Sequence, residues 1–250
     1  MAAGGGAILL HSCCGPCTVY PLEVLRAAGF LPQGFFYNPN IHPFREYDAR
    51  REAYLALAER EGLPLLEVEP DYGLAEFLAA IRAGSEGGSE SQSRGESGSW
   101  GEGWRQGEGG RQGEGGSQSE GGRQGEGGSR GQGQSRGEGW AGMLTPVSAE
   151  RCALCYRLRL TRAADVCRRA GLKLFTTTLL VSPYQNHELI RQIGQEAGAA
   201  AQVEFIYQDF RPGFRQGQRG ARAMGLYMQS YCGCIFSEYE RYGGKKQAGS

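Results

Sequence analysis

The chain has no apolar run near the roughly 20 residues that a membrane-spanning helix needs, so no anchor and no membrane partner are expected. It also lacks the basic start of a secretory signal. Met1 to Gly6 carries no charged side chain, and the apolar stretch after it, Ala7 to Leu10, is too short. A cytoplasmic location is therefore expected. Net charge is absent as well, with 27 basic residues balancing 27 acidic ones, so no overall basic excess announces a nucleic-acid partner. Histidine is scarce, three in 250 residues. All three are read as hydrogen-bonded structural side chains, His187 among them at a helix surface.

The zero charge is a sum over unlike parts. Residues 85–139 hold 6 Arg, 9 Glu and 21 of the 42 glycines, and the hexad Arg-Gln-Gly-Glu-Gly-Gly recurs at 105, 111 and 123. Trp100, Trp104 and, at its edge, Trp140 are the only large apolar residues there. Such a composition cannot bury enough apolar surface to offset the entropy of ordering. Residues 85–139 are thus expected to be a disordered insert dividing one catalytic domain into 1–84 and 140–250. The domain without the insert carries a net charge of +3, which permits an RNA partner without requiring one.

Outside the insert, short apolar runs alternate with helical periodicity. Strands are predicted at 7–10, 34–37, 65–68, 174–178 and 203–207. Helices are predicted at 16–28, 45–61, 74–82, 150–170, 184–197 and 214–224. This alternation implies βαβ units, an α/β fold with a mainly parallel sheet covered on both faces. Ligands of such sheets sit beyond the carboxyl ends of the strands. The loops expected there carry Cys13 and Cys14, the Asn38-Pro-Asn-Ile-His-Pro43 turn, Thr176 to Thr178, and Asp209. Asp209 and Asp48 are the acids nearest that rim, able to donate a proton or ligate a metal; Asp71 reads as a helix N-cap.

What the sequence does have is cysteine, and in clusters. Six of the eight fall in Cys13-Cys14-x-x-Cys17, Cys152-x-x-Cys155 and Cys232-x-Cys234. In a reducing compartment such spacings point to metal ligands or catalytic redox pairs rather than structural disulfides. Cys13, Cys14, Cys152 and Cys155 would supply four thiolates from two loops. Zinc with four Cys ligands and a 4Fe–4S cluster both remain open. The adjacent first pair favours the cluster, although Cys14 to Cys17 has zinc-knuckle spacing. Cys232 and Cys234 read as a redox-active dithiol or as ligands to a second metal, and Gly233 lets the chain turn between them. Cys17 is either a spare ligand or core, and Cys167 is packing. Arg151, Arg157 and Arg159 flank the second pair, where positive charge lowers thiol pKa values.

Several strings in order resemble one family. They are His-Ser-Cys-Cys-Gly-Pro-Cys (11–17), Tyr-Asn-Pro-Asn-Ile-His-Pro (37–43) with Glu46-Tyr47, and Arg-Cys-Ala-Leu-Cys-Tyr-Arg-Leu-Arg-Leu (151–160). Phe-Thr-Thr-Thr-Leu-Leu-Val-Ser-Pro-Tyr-Gln (175–185), Asp-Phe-Arg (209–211) and Gln-Ser-Tyr-Cys-Gly-Cys-Ile-Phe-Ser (229–237) complete the set. The chain is similar to the cobalamin-independent epoxyqueuosine reductases of the QueH type. The resemblance implies an adenine-nucleotide-α-hydrolase-like (HUP) domain. It implies reduction of epoxyqueuosine to queuosine at the tRNA wobble position, the last step of queuosine biosynthesis, with electrons from an unidentified donor.

By the same resemblance Cys13, Cys14, Cys152 and Cys155 would hold a 4Fe–4S cluster. Cys232 and Cys234 would be the redox-active pair, able to form a disulfide. Apart from the resemblance, Asp209 is read from its place on the rim as the acid that would protonate the departing oxygen. A second mononuclear metal, iron or zinc, would draw on Cys17, the Cys232/Cys234 pair or Asp209. Tyr184, Tyr231 and Phe210 are candidates for base stacking, and Arg157, Arg159 and Arg211 for phosphate contacts. The other readings are a zinc-bound RNA-binding module without catalysis and a thiol–disulfide oxidoreductase acting on proteins.

Overall fold

The computed structural model describes residues 5–68, 72–86 and 149–242. All of them belong to one compact unit of the chain. Of the insert read as disordered from residue 85, Ser85 and Glu86 instead close the helix that begins at Leu74; residues 87–139, with the tryptophans, and the N-cap expected at Asp71 lie outside the described residues.

Five strands, β1 (Ala7–Ser12), β2 (Leu31–Phe36), β3 (Leu65–Val68), β4 (Leu174–Thr177) and β5 (Glu204–Phe205), form one sheet in the order β3-β2-β1-β4-β5. Every pairing is parallel. The helices between them are α1 (Gly15–Ala27), α2 (Phe44–Glu61), α3 (Leu74–Glu86), α4 (Ala149–Arg169) and α5 (His187–Ala201), followed by α6 (Phe214–Ala223) and α7 (Ile235–Tyr242). The α/β parallel-sheet architecture read from the sequence is the one present. Its last helix, α7, and two 3-10 turns, Thr178–Val181 and Arg211–Gly213, were not foreseen.

Successive residues on a strand face opposite sides, and β2 shows the consequence. Phe35 enters the larger core cluster with Ile8, Leu10, Phe175 and Phe205, whereas Phe36 enters a second one with Leu22, Tyr47 and Tyr54. Both faces of the sheet are therefore dry. Helix α4 lays Tyr156, Leu160, Ala163, Ala164 and Cys167 into the larger cluster at helical spacing. Cys167 is fully buried, as its reading as packing requires.

The order of the strands decides where a ligand can sit. The chain winds from β1 outward to β3, then returns to add β4 on the other side of β1. The crevice at such a reversal point opens beyond the carboxyl ends of the two central strands. Here those ends are Ser12-Cys13 and Thr177-Thr178. No helix among the described residues is long and apolar enough to cross a membrane.

Candidate metal and redox centre

Helix α1 begins in the crevice, and its first turn is built from the first cysteine motif. Pro16 stands in that turn, where a missing N–H costs nothing. The Cys14 side chain caps the helix by accepting from the Cys17 N–H at 3.4 Å. Cys13, Cys14 and Cys17 thereby converge, with all three sulfurs within 4.8 Å of one another. Cys13 Sγ and Cys14 Sγ are 3.8 Å apart. Cys17, ambiguous in the sequence, belongs with this group.

The neighbouring strand end completes the pocket. Thr178 donates through its hydroxyl to Cys13 Sγ at 3.4 Å and accepts from the Cys13 N–H at 3.1 Å. His11 bridges three strands, its Nε2–H donating to the Tyr37 carbonyl at 3.0 Å while Nδ1 lies 2.8 Å from Thr177 Oγ1. Burial, assisted by the charge of Arg159, holds His11 down at about 3, so the ring is neutral and structural. His42 also has a structural place, with Nδ1 2.7 Å from the Tyr72 hydroxyl. His187 differs from its expected place on a helix surface. It opens α5 in a buried position, its Nε2 3.2 Å from the Ser182 carbonyl and its ring edge-on to Tyr207.

Two buried arginines supply the positive charge. Arg159 is 3 % exposed and donates to Asn38 Oδ1 at 2.6 Å, and its charge acts on both Cys13 and Cys155. Among the described residues no carboxylate pairs with it. Its burial removes it from the candidate phosphate contacts. Arg50, 2 % exposed, pairs with Glu46 at 2.6 Å and donates to the carbonyls of Tyr231 and Cys232 at 2.9 and 3.1 Å. A guanidinium stays charged wherever it is placed, so both sites favour anions nearby. Hydrogen bonds from Cys14 and Cys17 hold the Cys13 thiol well below its ordinary value, and Arg159 and Thr178 contribute in the same direction. Burial pushes Cys14 up, and hydrogen bonding to Cys13 and Cys14 pushes Cys17 up. Cys13 is thus the sulfur of the three that ionises most readily.

The other two motifs approach from α4 and from the loop before α7. Cys152 and Cys155 sit in the first turns of α4, and Cys152 packs on the same core cluster as Cys13 and Cys17. Burial pushes Cys155 up to about 11, against the lowering effect of Arg159, and the charge of Cys232 pushes the same way as burial. Cys234 is raised to about 12 by burial, then by Cys232 and Cys155. The C-x-C loop thus lies within electrostatic reach of Cys155. Gly233 adopts φ +101°, a region that side chains avoid, and a Cβ there would stand 2.9 Å from Ile41 Cγ1. Its carbonyl accepts from the His42 N–H at 2.8 Å. Cys232 is exposed, with Ser237 Oγ 2.9 Å from its sulfur.

The chain belongs to the epoxyqueuosine reductase QueH family. The family model "Epoxyqueuosine reductase QueH" matches residues 8–97 and 137–240. Epoxyqueuosine reductase QueH of Dehalococcoides mccartyi is 27% identical over 94% of this chain and 94% of its own length. The protein of that name from Thermotoga maritima is 29% identical over 94% of this chain and 92% of its own length. That of Histophilus somni is 25% identical, over 94% and 73% respectively. Membership places the chain among oxidoreductases.

Two side chains that the sequence reading passed over complete this QueH-family site. Gln229 donates from Nε2 to Cys14 Sγ at 3.0 Å and to Cys17 Sγ at 3.2 Å. Its position three residues before Cys232 is a signal visible in the sequence. The other is Arg50. It occupies the apolar stripe of α2 between Tyr47 and Tyr54, and a charged residue on a core-facing stripe was the available clue. Arg211 donates to Asp209 at 2.8 and 2.6 Å and holds its carboxyl at about 2. At neutral pH it is a carboxylate, which accepts protons rather than donating them. Phe210 is fully buried and so not a stacking surface, Tyr184 is 84 % exposed, and Arg157 pairs with Glu196 at 2.9 Å.

Proposed function

We propose that the chain reduces epoxyqueuosine to queuosine at the wobble position of tRNA. The observation that carries this reading is the family match across both halves of the sheet, joined to a three-thiol cluster in the crevice of that sheet. Opening an epoxide to an alkene takes up two electrons and two protons and releases water. Oxidation of the Cys232/Cys234 dithiol to a disulfide yields two electrons and two protons, so the pair balances one turnover. An external donor then has to reduce it again. Burial keeps the Cys234 thiol protonated until it reacts, which makes it a better proton source than Asp209 in its pair with Arg211. Asp209 can act as an acid only when an anion draws Arg211 away.

The donor set suits a sulfur-bound metal. The thiols are soft ligands, the buried guanidinium groups of Arg50 and Arg159 offset thiolate charge, and Gln229 turns N–H donors toward two of the sulfurs. In this reading Cys13, Cys14, Cys152 and Cys155 hold a 4Fe–4S cluster, with Arg159 between the two pairs. When bound, such a cluster supplies electrons one at a time. The protein's part is to exclude water from Cys14, to orient the C-x-C loop through Arg50, and to keep the proton on Cys234.

One observation favours a second reading of the metal. Two thiolates on one tetrahedral ion, at about 2.3 Å each, stand roughly 3.8 Å apart, and the Cys13 and Cys14 sulfurs are 3.8 Å apart. Cys13, Cys14 and Cys17 would then share a mononuclear iron or zinc. Anaerobic purification separates the two. Brown protein containing iron and acid-labile sulfide supports the cluster, and colourless protein with one zinc supports an RNA-binding module without catalysis. The function itself is tested by incubating the iron-loaded protein and a strong reductant with epoxyqueuosine-containing tRNA. Nucleoside mass spectrometry should show the loss of one oxygen, and an unchanged mass would end the proposal. Dithiol exchange with proteins that survives Cys13→Ala would point instead to a thiol–disulfide oxidoreductase.

A further inference from the structure

Helix α6 has two unlike faces. Toward α1 it presents glycine: a Cβ at Gly217 would stand 3.3 Å from Tyr20 Cβ, and one at Gly220 would stand 3.2 Å from Val19 Cγ1. Just before the helix, a Cβ at Gly213 would fall 2.2 Å from the Tyr20 ring. The backbone of α6 is therefore pressed onto α1, whose first turn carries the thiol cluster. Such close packing fixes the position of α6 relative to Cys14 and Cys17.

The outer face carries arginine. Arg215, Arg219 and Arg222 are all exposed and recur at the i, i+4, i+7 spacing of one helical face. From Phe210 to Ser237 the chain has no acidic residue. Among the described residues none of the three arginines has a carboxylate partner, and Glu23, on the facing helix, is hydrogen-bonded by Gln216 at 3.0 Å. Several other surface arginines are paired: Arg168 and Arg169 with Asp165, Arg157 with Glu196, Arg26 with Glu61. The stripe on α6 sets three unmatched positive charges on one face of one helix in a chain of zero net charge.

Aromatic surface lies at the head of the stripe. Tyr184, 84 % exposed, stands edge-on to Phe214, with ring centres 6.2 Å apart. Between Phe214 and the thiols runs a small cleft lined by Pro16, Cys17, Val181, Phe214, Gln218 and Gln229. Gln229 Oε1 is buried beside it without a hydrogen-bond partner.

We propose that the Arg215–Arg219–Arg222 face of α6 binds the phosphate backbone of the tRNA substrate, with Tyr184 stacking on a base next to the cleft that leads to Cys17. The proposal rests on the tRNA reading above. Phosphate contacts position an RNA, and stacking on aromatic rings holds its unpaired bases. An anticodon loop offers both a tightly turned backbone and splayed bases. The glycine face of α6 ties the arginines to the helix that presents the thiols, so the backbone is held at a fixed offset from the chemistry.

The test uses the full chain with its metal and labelled tRNA, with binding measured by fluorescence anisotropy over a range of KCl concentrations. The triple variant R215Q/R219Q/R222Q should bind at least about 10-fold more weakly at low salt. Its slope of log K against log salt should shrink by about 2 to 3, as the loss of three phosphate contacts requires. Each single variant should lower the slope by about 1, which keeps the test usable if the triple variant folds poorly. Tyr184→Ala should weaken binding without altering the slope, and R168Q/R169Q, near the far end of α4, should change neither. An unchanged affinity and slope in the triple variant would overturn the proposal. If the slope falls but the parent reduces no epoxyqueuosine, the surface stands and the functional reading fails. If the parent reduces the tRNA and the triple variant does so with unchanged KM, the surface fails and the function stands.

Discussion

Across 182 positions of sequence, the guanidinium of Arg50 donates to the carbonyl of Cys232 at 3.1 Å. The same group sits 5.4 Å from the centre of the Tyr231 ring and pairs with Glu46. One buried cation thus ties α2 to the loop that presents the C-x-C thiols. Removing it leaves a nearly buried carboxylate and two carbonyls without their donor. Arg50→Met is expected to destabilise the chain by about 3–5 kcal/mol, measured by urea unfolding of the metal-free protein. Arg50→Lys keeps the charge but not the fork, and should recover part of the stability without restoring reductase activity.

Gly233→Ala tests the turn itself. The positive φ and the approach to Ile41 and Arg50 leave a methyl group no room. Strain of about 1–3 kcal/mol is expected, relieved by shifting the loop. Activity should fall at least about 10-fold while the circular dichroism spectrum is retained. Full activity in this variant would show that the position of the loop does not matter.

The thiols should react in order of exposure. Alkylation of metal-free protein followed by peptide mass spectrometry should label Cys232 first and Cys14 and Cys167 last, the last two having no exposed surface. Reaction also requires the thiolate, and burial holds all three of Cys14, Cys167 and Cys234 high. Early labelling of Cys14 would contradict the closed crevice.

Part of this site could be read from the sequence because parallel strands put the loops that follow them on one rim. The ends of β1 and β4 share that rim, and Cys13 does meet Thr178. What could not be read was any contact made by a polar side chain pointing inward. Arg159 looks like an ordinary helix-surface charge until the fold closes over it, and the place of Arg50 on the apolar stripe of α2 does not say which carbonyls it reaches. His187 reads as a surface residue because its neighbours Asn186 and Glu188 are polar, yet Ser182 and Tyr207 enclose its ring. Phe210, expected as a stacking face, is likewise buried, since the sequence does not reveal that its backbone tucks back onto Leu180. Helix α7 was hidden by its brevity and by the cysteine motif that runs into it.

Acid should weaken the fold through His42. Burial lowers the ring to about 4 from an ordinary value of 6.5. Between these two values the unfolded chain binds a proton that the folded chain does not, so stability falls as pH drops from 6.5 toward 4. The loss is on the order of 3 kcal/mol at the lower limit. His42→Gln should flatten this part of the curve, measured by urea midpoints from pH 7 to pH 4. A parent curve that is already flat would count against a neutral buried ring.

Cys14 has no exposed surface, whereas Cys232 stands in solvent. Oxidative damage to this centre therefore has a direction. A peroxide arriving from outside meets Cys232 first and forms a sulfenic acid, with Cys234 two residues away as a resolving thiol. The product of that encounter is the same disulfide that one turnover would leave behind under the proposed dithiol chemistry. Whatever regenerates the pair after such a turnover would also repair this first oxidative lesion, before the inner thiols are touched.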